Sequence, residues 1–295
     1  MSNITAKLVK ELREKTGAGM MECKKALQEV DGDIEKAIDF LRTRGLATAA
    51  KKAGRATNEG AIAEYISDDG KTGVLIEVNC ETDFVAMNEN FTSFAKLLAD
   101  IVATNNPTDN DALMQTTVPG RDITVEGLFG EIVGKLGENI QVARFTRIEL
   151  ADTGALSAYI HGGAKIGIMV QFKLGNQATA TNDAFKAYAR DIAMQVAAAN
   201  PIAVRRENFD AAVVEREKEI YKNQAAESGK PEAIQEKMAE GRINKFFKEQ
   251  ALVEQAFVKD MDISIDDYTK RVAKELGDSI EIEAFTRYDL GSSAS

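Results

Sequence analysis

The strongest constraint on this chain is that it repeats itself. Residues 60–107 align without gaps to residues 154–201 at a constant offset of 94, with 15 identities in 48 positions. Tyr65-Ile66 recurs as Tyr159-Ile160, Gly73 as Gly167, Phe91 as Phe185 and Asn106-Pro107 as Asn200-Pro201. A second match follows at offset 140. There Leu136-Gly137-Glu138-Asn139-Ile140 meets Leu276-Gly277-Asp278-Ser279-Ile280, and Phe145-Thr146-Arg147 meets Phe285-Thr286-Arg287. The two offsets differ by 46, so the second copy carries a 46-residue insertion between its halves. A self-match of this length is one supersecondary unit used twice.

Both copies have the same order of elements. A strand around Tyr65 or Tyr159 precedes a short continuous apolar run, Val74–Val78 or Ile168–Phe172, that reads as a buried strand. A long helix follows, with Ala95, Leu98, Ala99 and Val102 at the spacing needed to cover a sheet. A helix–strand unit ending in Phe-Thr-Arg completes each copy. Strand–strand–helix–helix–strand is a three-stranded α+β layer, largely antiparallel because a short glycine-containing turn joins its first two strands. The insertion holds two charge-rich stretches, Phe209–Tyr221 and Pro231–Phe247, split by Ser228-Gly229-Lys230-Pro231. Glycine ends a helix and proline opens one, which predicts a helical hairpin. Its apolar seam is narrow (Val213 with Ile220, Ile234 with Met238), so the hairpin is either a strut or a coiled-coil contact arm.

Ahead of the repeat, residues 4–44 predict three short helices. Ile4, Leu8 and Leu12 line the first, Cys23, Ala26, Leu27 and Val30 the second, and Ile34, Ala37, Ile38 and Leu41 the third, which Asp33 caps. Gly17-Ala18-Gly19 breaks the first helix, and Met20 and Met21 follow it. At least one methionine packs in the core, or the two form an adaptable contact surface. From Gly45 to Gly60 a helical tail is expected to pass into a linker. The expected organisation is a head and linker over 1–53, a first subdomain over 54–150, a second over 151–205 and 250–295, and a hairpin over 206–249.

Several function classes are disfavoured by what the chain lacks. Cys23 and Cys80 form no CxxC pair and suit a reducing cytoplasm. His161 is the single histidine, which leaves no His-rich metal site and one candidate at most for a Ser–His or Cys–His pair. Gly134-Lys135 is followed by Leu136 and Gly229-Lys230 by Pro231, so there is no phosphate-binding P-loop. No apolar run nears the ~20 residues of a membrane span, and Met1-Ser2-Asn3-Ile4 lacks a signal peptide's pattern. The net charge is −10, yet residues 1–58 hold 12 Lys and Arg against 8 Asp and Glu. An acidic body repels phosphate backbones, so nucleic acid is not expected as the main partner. The basic head is either a solvated helical face or a surface for RNA or an acidic protein. With no catalytic constellation in view, the reading is of a binding protein without cofactor or metal, not an enzyme.

One segment breaks the repeat. After the buried strand the first copy reads Asn79-Cys80-Glu81-Thr82-Asp83-Phe84-Val85-Ala86, and the second Lys173-Leu174-Gly175-Asn176-Gln177-Ala178-Thr179-Ala180. The fold therefore accepts Ala178 where Phe84 stands. Either Phe84 packs locally with Asp83 capping the next helix, or an apolar wedge is presented beside a carboxylate.

Leu8-Val9-Lys10-Glu11-Leu12-Arg13, Thr16-Gly17-Ala18-Gly19-Met20-Met21, Cys23-Lys24-Lys25-Ala26-Leu27, Glu77-Val78-Asn79-Cys80, Thr82-Asp83-Phe84-Val85-Ala86 and His161-Gly162 closely resemble the bacterial translation elongation factor Ts family, over nearly the whole chain. The resemblance implies a ubiquitin-associated-like three-helix head, two related α/β core subdomains and a projecting coiled-coil hairpin. It implies a cytoplasmic guanine nucleotide exchange factor for elongation factor Tu. Such a factor binds the partner's GDP and nucleotide-free forms, holds no nucleotide itself, and meets no membrane. Leu12, Met20 and Met21 are then contacts to the partner's GTPase domain. Thr82, Asp83, Phe84 and Val85 insert beside its nucleotide and dislodge Mg²⁺, with Phe84 as the wedge and Asp83 as its polar neighbour. His161 matches a contact to the partner's distal domain. The competing reading is an adaptor that binds RNA or a ubiquitin-like protein through the basic head. Many family members continue into a C-terminal helix that also grips the partner, so a chain stopping at Gly291-Ser292-Ser293-Ala294-Ser295 is expected to lack that contact.

Overall fold

The computed structural model describes residues 4–292; the residues Met1–Asn3 read for a leader and the last three of the Gly291–Ser295 terminus lie outside them. The head is three helices: α1 (Ala6–Thr16), α2 (Met20–Glu29) and α3 (Ile34–Lys52). Thr5 caps α1 by accepting from the Leu8 N–H, and Gly17, at φ 67°, closes it in the left-handed conformation that spares glycine a Cβ clash. Asp33 caps α3 through the Lys36 N–H at 3.1 Å, as its sequence position predicts. Val9, Leu12, Cys23, Ala26, Leu27 and Ala37 form the head's core.

The helical tail expected from Gly45 is the last part of α3, which continues through Gly45 to Lys52 before the linker begins. Gly45 lies inside that helix and is buried; a Cβ built on it would sit 2.2 Å from the Gly130 carbonyl oxygen of the crossing helix α7 (Val125–Leu136). Gly45 and Gly130 therefore let two helix backbones touch, and the end of α3 fastens the head to the body. Lys52 adds a hydrogen bond to the Gly137 carbonyl at the end of α7.

The body holds two three-stranded antiparallel sheets with the same register. The first is β1 (Glu59–Ile66), β2 (Thr72–Cys80) and β3 (Ile140–Glu149), in that order. α4 (Asp83–Ala86), α5 (Glu89–Asn105), α6 (Asn110–Gln115) and α7 lie between β2 and β3. The second sheet is β4 (Gly154–His161), β5 (Ile166–Leu174) and β8 (Ile280–Asp289). Gly60 pairs with Asn79 as Gly154 pairs with Lys173, and the bulge after Glu77 recurs after Gln171. Asn106 and Asn200 both close the long helix, α5 or α8 (Asp183–Ala199), in the left-handed conformation. The arginine of each Phe-Thr-Arg does the same job at the end of the long helix: Arg147 donates to the Ala103 carbonyl and Arg287 to those of Val196 and Ala197.

Each sheet buries one face under helices. Val74, Ile76 and Val78 meet Phe91, Ala95, Leu98 and Val102, while Ile168, Val170 and Phe172 meet Phe185, Ala189, Ile192 and Val196. The other faces pack on each other through Ile62, Leu75, Leu156, Met169 and Tyr288. This explains why the run Val74-Leu75-Ile76 is apolar on both sides. Gly73 lies against Leu156 and Met169, and its repeat partner Gly167 lies against Ile62, so each sheet inserts a side chain over the other's glycine. Glu77, buried beneath, accepts from Arg144 Nε at 2.9 Å and from the Gly291 N–H at 2.9 Å. Arg144 also stacks on Tyr288, 4.1 Å from the ring centroid, and thus joins the chain's end to the first sheet.

The second copy is interrupted by α9 (Ala211–Ala226) and α10 (Glu232–Gln250), an antiparallel hairpin based on Phe209, Phe246 and Phe247. Of the residues read as a seam, Val213 and Ile234 face solvent while Ile220 and Met238 are half-buried; Ala225 and Ile243 are buried. A small hairpin unread in the sequence, β6 (Ala256–Phe257) and β7 (Asp260–Ser264), then leads into α11 (Ile265–Leu276). Its counterpart in the first copy is the single bridge Thr117–Thr124.

Candidate functional site

At the end of β2 the chain must turn from a buried strand into α5, and it does so through the four residues of α4. Cys80 is buried and its thiol donates to the Thr82 carbonyl at 3.2 Å. Burial, reinforced by the charge of Glu138, pushes that thiol up to about 12. It stays protonated and keeps its hydrogen bond. Thr82 caps α4, its hydroxyl accepting from the Val85 N–H at 3.4 Å.

Two carboxylates brace this turn against the junction of α7 and β3. Glu138 Oε2 accepts from the N–H groups of Glu81 at 3.1 Å and Thr82 at 3.0 Å, and its Oε1 accepts from the Thr82 hydroxyl at 2.5 Å. In return Glu81 accepts from the Asn139 N–H at 2.7 Å and faces Arg55 at 3.3 Å. The Asn139 N–H, and then Arg55, hold the Glu81 carboxyl below its usual range. Asn139 donates onward to the Arg55 carbonyl at 2.9 Å, which ties in the segment after α3.

On this braced turn the side chains divide sharply. Val85 points into the core of the first sheet, at 9 % exposure, with Ala86 packed beside it. Phe84 points out at 79 % exposure, Met87 three residues on is 71 % exposed, and Asp83 is also exposed. Local packing of Phe84 with a cap from Asp83 is therefore not what forms: Thr82 is the cap, and the ring packs on nothing that buries it. The second copy has a related brace without the ring, its hydroxyl supplied by Thr179, the repeat partner of Val85. Asp278 accepts from the Asn176 N–H at 3.1 Å and the Thr179 hydroxyl at 2.6 Å around a turn that carries Ala178.

Of the head residues singled out in the sequence, Met20 and Met21 open α2 at 57 % and 62 % exposure; neither packs in the core. Leu12 requires a correction: it is 0 % exposed, sealed among Val9, Cys23 and Leu27, and has no surface to offer a partner. Its four-residue spacing from Leu8 marks the inward face of α1, and that is where it stays. Lys135 lies between the segments that carry the two exposed apolar pairs. Its Nζ donates to Asn90 Oδ1 at 2.6 Å, just beyond Met87, and lies against Gly17, just before Met20.

His161 stands at the exposed end of β4, its Nδ1 2.9 Å from the Tyr159 hydroxyl. Gly162, Gly163 and Ala164 follow in positive-φ conformations, and the Ala164 carbonyl receives the Ile62 N–H. Among the described residues, no hydrogen bond, ion pair or ring contact joins His161 to the Thr82–Val85 turn. Nor is there, among them, a cluster of three His, Cys, Asp or Glu side chains able to hold a metal. No helix among them is long and apolar enough to cross a membrane.

Glu138, Asn139, Lys135 and Met87 were not singled out from the sequence. The signal for Glu138 was present: an acidic residue follows the helix-ending glycine in both copies, as Glu138 and as Asp278. Met87 stands one helical turn from Phe84, a spacing that becomes informative only once both side chains are seen to be exposed.

Residues 81–292 match the family model described as elongation factor TS. The chain is similar to the elongation factor Ts of Clostridium novyi, 45 % identical over 289 residues, covering 98 % of this chain and 93 % of that protein. It is 47 % identical over 288 residues to that of Clostridium perfringens, with 98 % and 93 % covered. Against that of Clostridium botulinum the identity is 48 % over 290 residues, with 98 % and 92 % covered.

Proposed function

The chain belongs to the elongation factor Ts family, and from that premise we propose that this translation elongation factor acts in the cytoplasm as a nucleotide exchange factor for elongation factor Tu. It speeds release of GDP from the partner and has no catalytic constellation of its own. One observation carries the reading: an aromatic ring, 79 % exposed, is held on a turn braced from two sides, where the second copy has only Ala178. A fold does not need a solvent-facing phenylalanine, whereas a wedge does.

In this reading Phe84 enters the partner beside its nucleotide and Asp83 lies at its flank. Mg²⁺ screens the charge of the partner's bound diphosphate. Displacing the groups that hold it leaves that charge unscreened, and GDP departs. Burying the ring stabilises the nucleotide-free complex by ~1.5–3 kcal/mol, and linkage makes GDP weaken the complex by the same factor that the complex weakens GDP binding. Met20 and Met21 supply an adaptable second contact to the GTPase domain. His161, which among the described residues shares no hydrogen bond or ring contact with the turn, serves the partner's distal domain.

The test is release of a fluorescent GDP analogue from elongation factor Tu with and without this protein. Acceleration that shrinks when Mg²⁺ is chelated supports the reading. Salt-dependent RNA retention by the head, with GDP release unchanged, replaces it with the adaptor reading.

A further inference from the structure

The Thr82–Val85 turn cannot keep its shape unaided, because four helical residues fall far short of what an isolated helix needs. Glu138 provides what is missing. One of its oxygens takes both N–H groups at the entrance to the turn, and the other takes the Thr82 hydroxyl proton. With that proton committed, the Thr82 oxygen faces the Val85 N–H, which sets the first turn of α4 and with it the direction in which Phe84 projects.

We propose that Glu138 is the positioning residue for Phe84: it aims the ring without touching the partner. This rests on the wedge reading above. Three donors converge on a single carboxylate, and hydrogen bonds to a charged acceptor are stronger than neutral ones and set geometry more tightly. Without Glu138, the reciprocal bond from Asn139 to Glu81 still ties β2 to the start of β3. The sheet therefore survives while the aim is lost. The second copy supplies an internal control, since Asp278 makes a related brace, through the Asn176 N–H and the Thr179 hydroxyl, around a turn with no ring to aim.

The experiment is a double-mutant cycle on GDP release from elongation factor Tu, read by stopped flow, with Glu138→Ala, Phe84→Ala, the double variant and Asp278→Ala, each checked by thermal melting. Glu138→Ala is expected to slow release about ten-fold in the wild-type background, and less than about two-fold once Phe84 is alanine. Asp278→Ala is expected to lower the melting temperature comparably while leaving release unchanged. Equal slowing by Glu138→Ala in both backgrounds overturns the proposal, as does slowing by Asp278→Ala that matches it. Normal release by Glu138→Ala beside a slow Phe84→Ala overturns this proposal alone. Normal release by Phe84→Ala overturns the wedge reading and this inference together. If Glu138→Ala does not fold, Glu138→Gln, which keeps an acceptor for the N–H groups but loses the one for the Thr82 hydroxyl, is read in the same cycle by the same outcomes.

Discussion

Replacing Phe84 by alanine separates a residue kept for its fold from one kept for its partner. A buried Phe→Ala change costs ~3–5 kcal/mol. Phe84 is 79 % exposed, so only about a fifth of its surface has left water. Scaling the burial term by that fraction leaves under about 1 kcal/mol, and alanine's better helix propensity returns a few tenths. For a protein of this size 1 kcal/mol corresponds to ~2–4 °C, so the expected fall in melting temperature is below about 2 °C. The effect on exchange is of another order. A ring that is wet in the free protein and buried in the complex loses ~1.5–3 kcal/mol of stabilisation when truncated, which slows release roughly 10- to 150-fold at subsaturating concentration. Stopped-flow release and differential scanning calorimetry on one preparation measure both numbers. A melting temperature lowered by more than about 5 °C, or release slowed less than about three-fold, refutes the reasoning.

Gly45→Ala places a methyl 2.2 Å from the Gly130 carbonyl, so urea unfolding should show a loss of ~1–3 kcal/mol instead of the gain usual for Gly→Ala within a helix; a gain contradicts the close crossing of α3 and α7. Replacing Glu215–Arg242 by a short Gly/Ser linker keeps the Phe209, Phe246 and Phe247 base and should leave both sheets folded by circular dichroism, because the first copy folds without an insertion; an unfolded product argues against treating 206–249 as a separate unit. Both cysteines are buried, and burial raises both thiols, Cys80 to about 12, which lowers the thiolate fraction of each; at pH 8 a thiol reagent should label neither until the protein is unfolded, and rapid labelling of the native protein contradicts this.

What the sequence revealed and what it concealed follow from the kind of force involved. Repetition exposed the two sheets, since Gly73 and Gly167, Asn106 and Asn200, and Arg147 and Arg287 each answer a backbone requirement that both copies share. Phe84 stood out because Ala178 fills the same place. The helical tail from Gly45 was legible, but why a glycine stands there was not; its reason is the carbonyl of Gly130, 85 residues away. Leu12 was assigned outward by family likeness although its spacing places it inward. The brace of Glu81 and Glu138 was hidden for a different reason. A surface carboxylate looks the same in sequence whether it meets water or three N–H and O–H donors.

The register of the two sheets also bears on how the chain emerges during its own synthesis. In the first sheet, β2 ends at Cys80 and waits 60 residues for its partner Ile140; in the second, β5 ends at Leu174 and waits 106 residues for Ile280. At ~5–20 residues per second, the first delay is roughly 3–12 s and the second roughly 5–21 s. Through that interval the outer edge of β5, with Ile168, Val170 and Phe172 on its core face, has no strand beside it. The hairpin that interrupts the second copy thus nearly doubles the time a sticky strand stands open on the nascent chain. It makes the second copy, not the first, the stretch that a chaperone has most reason to cover.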